Sequence, residues 1–98
     1  MAQIHQVIVH RPGPRWQAGV NFQEQAGVDE HVRYFSGLLQ AGQLFEGGPF
    51  IDSTGGMQIM SATLTKEDVE QIAHADPTVV SGLLEAEVRP WLRAMTAD

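Results

Sequence analysis

The order of strand-type and helix-type segments is the feature that most constrains the fold of this chain. Residues 4–10 are rich in β-branched side chains, and the prolines that follow in RPGP cannot continue a ladder of hydrogen bonds. This segment is therefore predicted to be a strand. Residues 27–41 are predicted to form a helix, because four apolar side chains recur there at helical spacing: Val28, Val32, Phe35 and Leu39.

The second half of the chain repeats a related pattern. Two short strands are predicted on either side of a glycine-rich loop, and a second helix is predicted to begin after Thr65 and to run to about Ala75. Asp76 and Pro77 read as the cap and the first residue of a further short turn. The predicted strands are residues 44–46, 57–62 and 83–89, the last of them closed by Pro90 and Trp91.

The resulting order is β-α-β-β-α-β, which predicts an α+β fold of the ferredoxin-like type. In that fold a four-stranded antiparallel sheet carries both helices on one face. A chain of 98 residues has room for one such domain, spanning residues 1–98. The predicted strands are apolar on both sides, so we expect a homodimer whose sheets face one another, and a concave pocket between the sheet and the first helix.

Charge and composition exclude several classes of function. Six basic and twelve acidic residues give a net charge of −6, which disfavours nucleic acid and anionic membranes as partners. The absence of cysteine removes disulfides, thiolate nucleophiles and cysteine-based zinc sites. The N-terminus resembles no signal peptide and no stretch is long enough to span a membrane, so a cytoplasmic location is expected.

The four histidines give no metal-binding spacing. His5 and His10 are five residues apart on a strand and should point to opposite faces, while His74 suits a helix C-terminus. His31 lies beside the apolar stripe of the first helix, where both a structural and a catalytic role are open. The sequence therefore predicts neither a metal nor a cofactor.

The loop GGPFIDSTGGM holds one carboxylate, Asp52, between two pairs of glycines. Asp52 could simply bond its own backbone in a turn, with the glycines taking positive φ. It could also belong to a functional site. The local pattern leaves both explanations open.

Five dispersed motifs resemble the YciI-like, or YCII-related, domain family, and they cover nearly the whole chain. They are RPGPRW, DEHVRYFSGLLQAGQLFEGGPF, the GGM of the third strand, DPTVVSGL and the closing EVRPW. The resemblance implies a dimeric α-β barrel built from ferredoxin-like domains and a site with a histidine and a carboxylate. It implies His31 as the histidine, and it makes Asp52 the carboxylate because the end of the first helix has no acid.

The resemblance also implies a chemistry. It implies a lyase that dehydrochlorinates a chlorinated hydroxyhydroquinone during the degradation of aromatic compounds; an enol-lactone isomerase and a non-catalytic ligand-binding dimer are the alternatives. His31 would act as general acid and base, with Asp52 orienting it and Tyr34 as a phenolic donor or wall. Six further residues are predicted to contact a flat, anionic substrate: Trp16, Phe22, Phe50, Trp91, Arg11 and Arg15.

Overall fold

The structure is a computed structural model and describes residues 2–97. Within these residues the order of elements is β-α-β-β-α-α-β, with a short 3-10 helix ahead of the first α-helix. The strands are β1 (Gln3–Pro12), β2 (Leu44–Pro49), β3 (Gly56–Met60) and β4 (Leu84–Arg93). The helices are α1 (Val28–Gln40), α2 (Lys66–Ala75) and α3 (Pro77–Ser81), and the 3-10 helix is Phe22–Glu24.

The strands form one antiparallel sheet in the order β2-β3-β1-β4. The two longest strands, β1 and β4, pair along their whole length of ten residues each. This strand order, with the helices following β1 and β3, is the ferredoxin-like arrangement, so the predicted fold is confirmed. No helix within residues 2–97 combines the length and the apolar character needed to cross a membrane.

The core lies between the helices and one face of the sheet. Ile8 from β1 and Met60 from β3 are fully buried there, against Phe35 of α1 and Val69 and Ala73 of α2. Alternate side chains of a strand point to opposite faces. The even-numbered residues of β1 therefore face the helices, and the odd-numbered ones face away.

The second helix begins where the sequence predicts. The Thr65 hydroxyl accepts from the Asp68 backbone N–H at 3.1 Å, and the Asp68 carboxylate accepts from the Thr65 N–H at 3.0 Å. This is a complete capping box, because both bonds of the reciprocal pair are present. α2 ends before Pro77, and Asp76 caps α3 by accepting from the Thr78 N–H at 2.9 Å.

The last strand is longer than predicted. The sequence places its end at Arg89, before Pro90, but β4 continues to Arg93 and Pro90 lies opposite Gln6. The prediction was wrong because β4 is an edge strand. On the outer side of an edge strand there is no neighbouring strand to accept a hydrogen bond, so the missing N–H of a proline costs nothing there.

The face of the sheet away from the helices is apolar on β1 and β3, whereas β4 places the charged residues Glu87 and Arg89 beside Val9 and Val7. Val7 pairs with Ile59, and Val9 pairs with Met57 on the adjacent strand. Trp91 lies on the same face, 41% exposed. Among residues 2–97, all three α-helices pack on the opposite side, so no helix covers this face.

The glycines of the loop between β2 and β3 allow close contact with β1. Gly55 has φ of 123°, and a Cβ built on it would collide with the His10 carbonyl. Only glycine tolerates both conditions at once. The loop is closed by a hydrogen bond from the Phe50 N–H to the Gly55 carbonyl at 2.8 Å. Gly55 therefore fixes the position of the loop beside the end of β1.

We expect Gly55→Ala to lower the free energy of unfolding by at least about 2 kcal/mol, because strain at positive φ adds to the collision with His10. Gly48→Ala is the matched control, since a Cβ added at Gly48 would have no atom within 4 Å and the φ of this residue is not positive. It should change stability by about 0.5 kcal/mol or less. Denaturant unfolding of both variants measures the difference; equal stabilities would contradict this role for Gly55.

Candidate functional site

A pocket of about 270 Å³ opens between α1 and the sheet, as the sequence predicts. Its walls come from α1, β2, β3, the end of β1, the start of β4, and the segment between β1 and α1. The lining is mostly apolar and includes the backbones of Gly47, Gly48, Gly55 and Gly56. The polar side chains among the lining residues are His10, His31, Ser36 and Gln58, with the indole of Trp16 at the wall.

A histidine and a carboxylate meet at this pocket. His31 Nδ1 lies 2.7 Å from Asp76 Oδ2, although 45 residues separate the two in sequence. His31 is in the first turn of α1 and its side chain is 14% exposed, whereas that of Asp76 is fully buried at the junction of α2 and α3. The sequence folds this way because α1 begins beside the point at which α2 ends.

Asp76 is held by several hydrogen bonds at once. Besides His31, the Thr78 backbone N–H and hydroxyl donate to Asp76 Oδ1 at 2.9 and 2.8 Å. Burial by itself would raise the pKa of Asp76, but the hydrogen bond and charge of His31 and the two bonds from Thr78 outweigh burial and lower the pKa below its usual 3.8. The group is therefore a carboxylate at neutral pH.

His10 is a second imidazole at the same place. Its ring centre is 5.0 Å from that of His31 and 5.7 Å from that of Phe35, in edge-to-face arrangements. The residue is 1% exposed, and neither ring nitrogen has a hydrogen-bond partner within residues 2–97. Burial, together with the nearby His31, lowers the pKa of His10 to about 4 despite the opposing effect of Asp76. His10 is therefore neutral at pH 7.

The predicted pairing of Asp52 with His31 needs correction. Asp52 is exposed, and its carboxylate accepts from the Thr54 hydroxyl at 2.6 Å and from the Thr54 N–H at 3.2 Å. These contacts make Asp52 a turn residue, the first of the two explanations that the loop allows. The carboxylate that bonds His31 is Asp76, so the expected partner was wrong in this chain.

Tyr34 does not line the pocket. Its hydroxyl donates to the Ile72 carbonyl of α2 at 2.7 Å, on the side of α1 that faces the second helix. Burial raises the pKa of Tyr34 above its usual 10.0, with a smaller contribution from Asp76. The phenolic proton is therefore used in a hydrogen bond that links α1 to α2.

The predicted aromatic residues divide into two groups. Trp16 and Phe22, from the segment that joins β1 to α1, line the pocket. Phe50 is outside the lining and 37% exposed in the loop after β2. Trp91 lies on the other face of the sheet, with its ring centre 6.2 Å from that of His5. The structure therefore brings only the first two together with His31.

The predicted arginines lie outside the pocket lining. Arg11 is exposed and its guanidinium is 3.6 Å from the Glu87 carboxylate. Arg15 is exposed near Gly82. The structure shows no contact of either residue with His31 or Asp76.

Sequence reasoning missed Asp76 and His10 as site residues, although each carries a signal. The sequence predicts that Asp76 caps a helix, and the structure confirms this role. The topology also places the end of α2 beside the first turn of α1, which contains His31. His10 shares strand parity with Ile8, which marks it as facing the helices rather than solvent. Combining parity with topology would have found both residues.

The chain belongs to the YCII-related domain family, whose sequence profile matches residues 7–92. It is also similar to the uncharacterized protein YjpA of Bacillus subtilis (strain 168), with 36% identity over 67 residues. That similarity covers 68% of this chain and 78% of the Bacillus protein. The family resemblance drawn from the motifs is thus confirmed.

We expect the His10 imidazole to titrate with a midpoint near 4, because burial opposes its protonation. Since its ordinary value is 6.5, the unfolded chain binds this proton more readily than the folded one, and this group makes the protein less stable as pH falls from 6.5 towards 4. NMR titration of the imidazole signals, assigned with His10→Phe, measures the midpoint. A midpoint of 6 or above would contradict the described burial.

Proposed function

We propose that this protein is a small enzyme that uses His31 and Asp76 for general acid–base catalysis on a flat, largely apolar small molecule. The observation that supports it most directly is the 2.7 Å contact between His31 Nδ1 and the buried Asp76 carboxylate at the wall of an apolar pocket. A buried histidine–carboxylate pair of this kind can fix a tautomer and an orientation.

The pair assigns a role to each ring nitrogen. Nδ1–H of His31 donates to Asp76, which leaves Nε2 as the unprotonated nitrogen that accepts a proton from a substrate. The carboxylate stabilises the imidazolium that forms, and the same imidazolium then returns the proton to another atom of the substrate. General acid–base catalysis of this type accelerates a step by roughly 10² to 10⁴.

The dimensions of the pocket favour a substrate with a single ring. The volume of about 270 Å³ is just below the usual range for ligand pockets, roughly 300 to 1,000 Å³. Trp16, Phe22 and Phe35 supply aromatic walls on which a flat ring can stack. Gly47 and Gly48 let the ring lie close to the backbone of β2.

The specific reaction we propose is the loss of HCl from a chlorinated hydroxyhydroquinone to give a hydroxyquinone. His31 takes a phenolic proton and returns it to the carbon that bears chlorine, which forms a ketone tautomer. His31 then removes a second phenolic proton while the carbon–chlorine bond breaks. The electron pair of that bond leaves with chlorine as chloride. One proton and one chloride are released in total, so the step needs no external oxidant or reductant.

We expect purified protein to release chloride from 5-chloro-2-hydroxyhydroquinone under anaerobic conditions, faster than the spontaneous rate. His31→Gln should lower kcat by roughly 10² or more, because the acid–base group is lost. Phe50→Leu is a matched control in the neighbouring loop, outside the pocket lining, and should keep the activity. Chloride release and quinone absorbance measure turnover. A folded His31→Gln variant with wild-type turnover would contradict the acid–base role of His31. If the wild-type protein binds this substrate without turning it over, the protein is instead a ligand-binding domain.

We also propose that the helix-free face of the sheet pairs with a second copy of this chain. The apolar part of this surface is formed by Val9, Met57 and Ile59, with Trp91 and Phe45 exposed by 41% and 46% at one end, and Glu87 and Arg89 of β4 border it. One layer of helices leaves a four-stranded sheet half covered, and a domain of this size gains much from covering the rest. The pocket is on the opposite face, so pairing leaves its residues in place.

We expect light scattering after gel filtration to give twice the chain mass of 10.7 kDa. Ile59→Lys should shift the protein to the monomer mass, since a charge would be buried at the centre of the interface. Val80→Lys is the control: Val80 is 74% exposed on α3, on the helical side, and its substitution should leave the dimer intact. A monomeric wild type would contradict the proposal.

A further inference from the structure

We propose that His10, His31 and Asp76 together form a binding site for one divalent transition-metal ion of the Zn²⁺ type. Each of the three side chains offers a ligand atom, and these atoms lie within 4.8 Å of one another. The inference concerns the same pocket as the proposed function but does not rest on it, because binding of an ion can occur without any turnover.

The spacing of the three ligand atoms is close to what such an ion requires. Bonds of 2.0–2.1 Å to nitrogen or oxygen in a tetrahedral site place ligand atoms roughly 3.3 Å apart. The 2.7 Å contact between His31 Nδ1 and Asp76 Oδ2 must therefore widen by roughly 0.6 Å. The His10 ligand atom must approach the other two by at most roughly 1.5 Å.

His10 supplies an independent observation that points to a ligand. It is 1% exposed, lines the pocket, and has no hydrogen-bond partner for either ring nitrogen within the described part of the chain. A buried polar atom without a partner is costly, and phenylalanine would pack beside Phe35 without that cost. An ion coordinated by one His10 nitrogen accounts for a histidine at this position.

The donor set suits zinc chemistry. Two imidazoles and one carboxylate are the ligands of many zinc sites that keep a fourth position open, and the pocket lies beside the cluster, where a water or a substrate oxygen can take that position. The orientation of the Asp76 carboxylate is also fixed, because the Thr78 N–H and hydroxyl both donate to Oδ1, the oxygen that does not bond His31. Hydrogen bonds of this kind to a ligating group tune metal affinity by 10 to 100-fold.

The ion would take the place of the proton that His31 and Asp76 share. The metal-loaded site and the hydrogen-bonded pair are therefore alternative states of the same three side chains. In the loaded state the ion polarises an oxygen in the open position, which is a different chemistry from proton transfer by His31.

The test is a titration of chelator-treated, dialysed protein with Co²⁺ in the absence of substrate. The visible absorption of four-coordinate Co²⁺ should grow to one equivalent per chain, and Zn²⁺ should displace it. His10→Phe and His31→Gln each remove one ligand and should weaken binding by at least about tenfold, with folding checked by circular dichroism. His74→Gln removes an exposed histidine outside the cluster and should bind as wild type does.

Three results would overturn the proposal: no visible Co²⁺ absorption in wild type, undiminished affinity in folded His10→Phe and His31→Gln, or loss of binding in His74→Gln. Because no substrate is present, a protein inactive in chloride release can still bind the ion. A protein that binds no ion can still release chloride. The failures of the two proposals are thus distinguishable.

Discussion

The buried carboxylate of Asp76 holds together the parts of the molecule that form the site. It ends one helix, caps the next through the Thr78 N–H, and reaches across to His31 in the first turn of α1. A charge this deep is tolerable only because His31 and Thr78 supply hydrogen bonds to both of its oxygens. Local chain geometry and the placement of a distant imidazole therefore depend on the same two oxygen atoms.

Much of the fold follows from local patterns in the sequence. The strand–helix order, the Thr65 cap and the turn at Asp76 and Pro77 are each fixed by residues close together in the chain, so they could be predicted. The end of β4 could not be predicted in this way, because whether Pro90 ends a strand depends on whether that strand lies at the edge of the sheet. That is a property of the assembled sheet and not of the segment.

The site was less accessible to prediction than the fold. His31 was placed correctly at the pocket, but its partner was sought in the conspicuous glycine loop, where Asp52 bonds Thr54 instead. Asp76 looks like an ordinary cap, and a cap has a sufficient local explanation. The separation of 45 residues does not by itself reveal that the other oxygen of the same carboxylate bonds a histidine on another helix, because only the fold topology brings the end of α2 beside the start of α1.

The central strand β1 brings two surfaces of the protein to neighbouring residues. His10 and Ile8 face the helices, where His10 lines the pocket and Ile8 lies in the core, while Val7 and Val9 face away, beside Ile59 and Met57. Substitutions at consecutive positions of one short segment should therefore fall into two sets with unrelated phenotypes. An insertion or deletion of a single residue would exchange the two sets and disturb both surfaces at once, so β1 should tolerate replacement of its side chains far better than any change in its length.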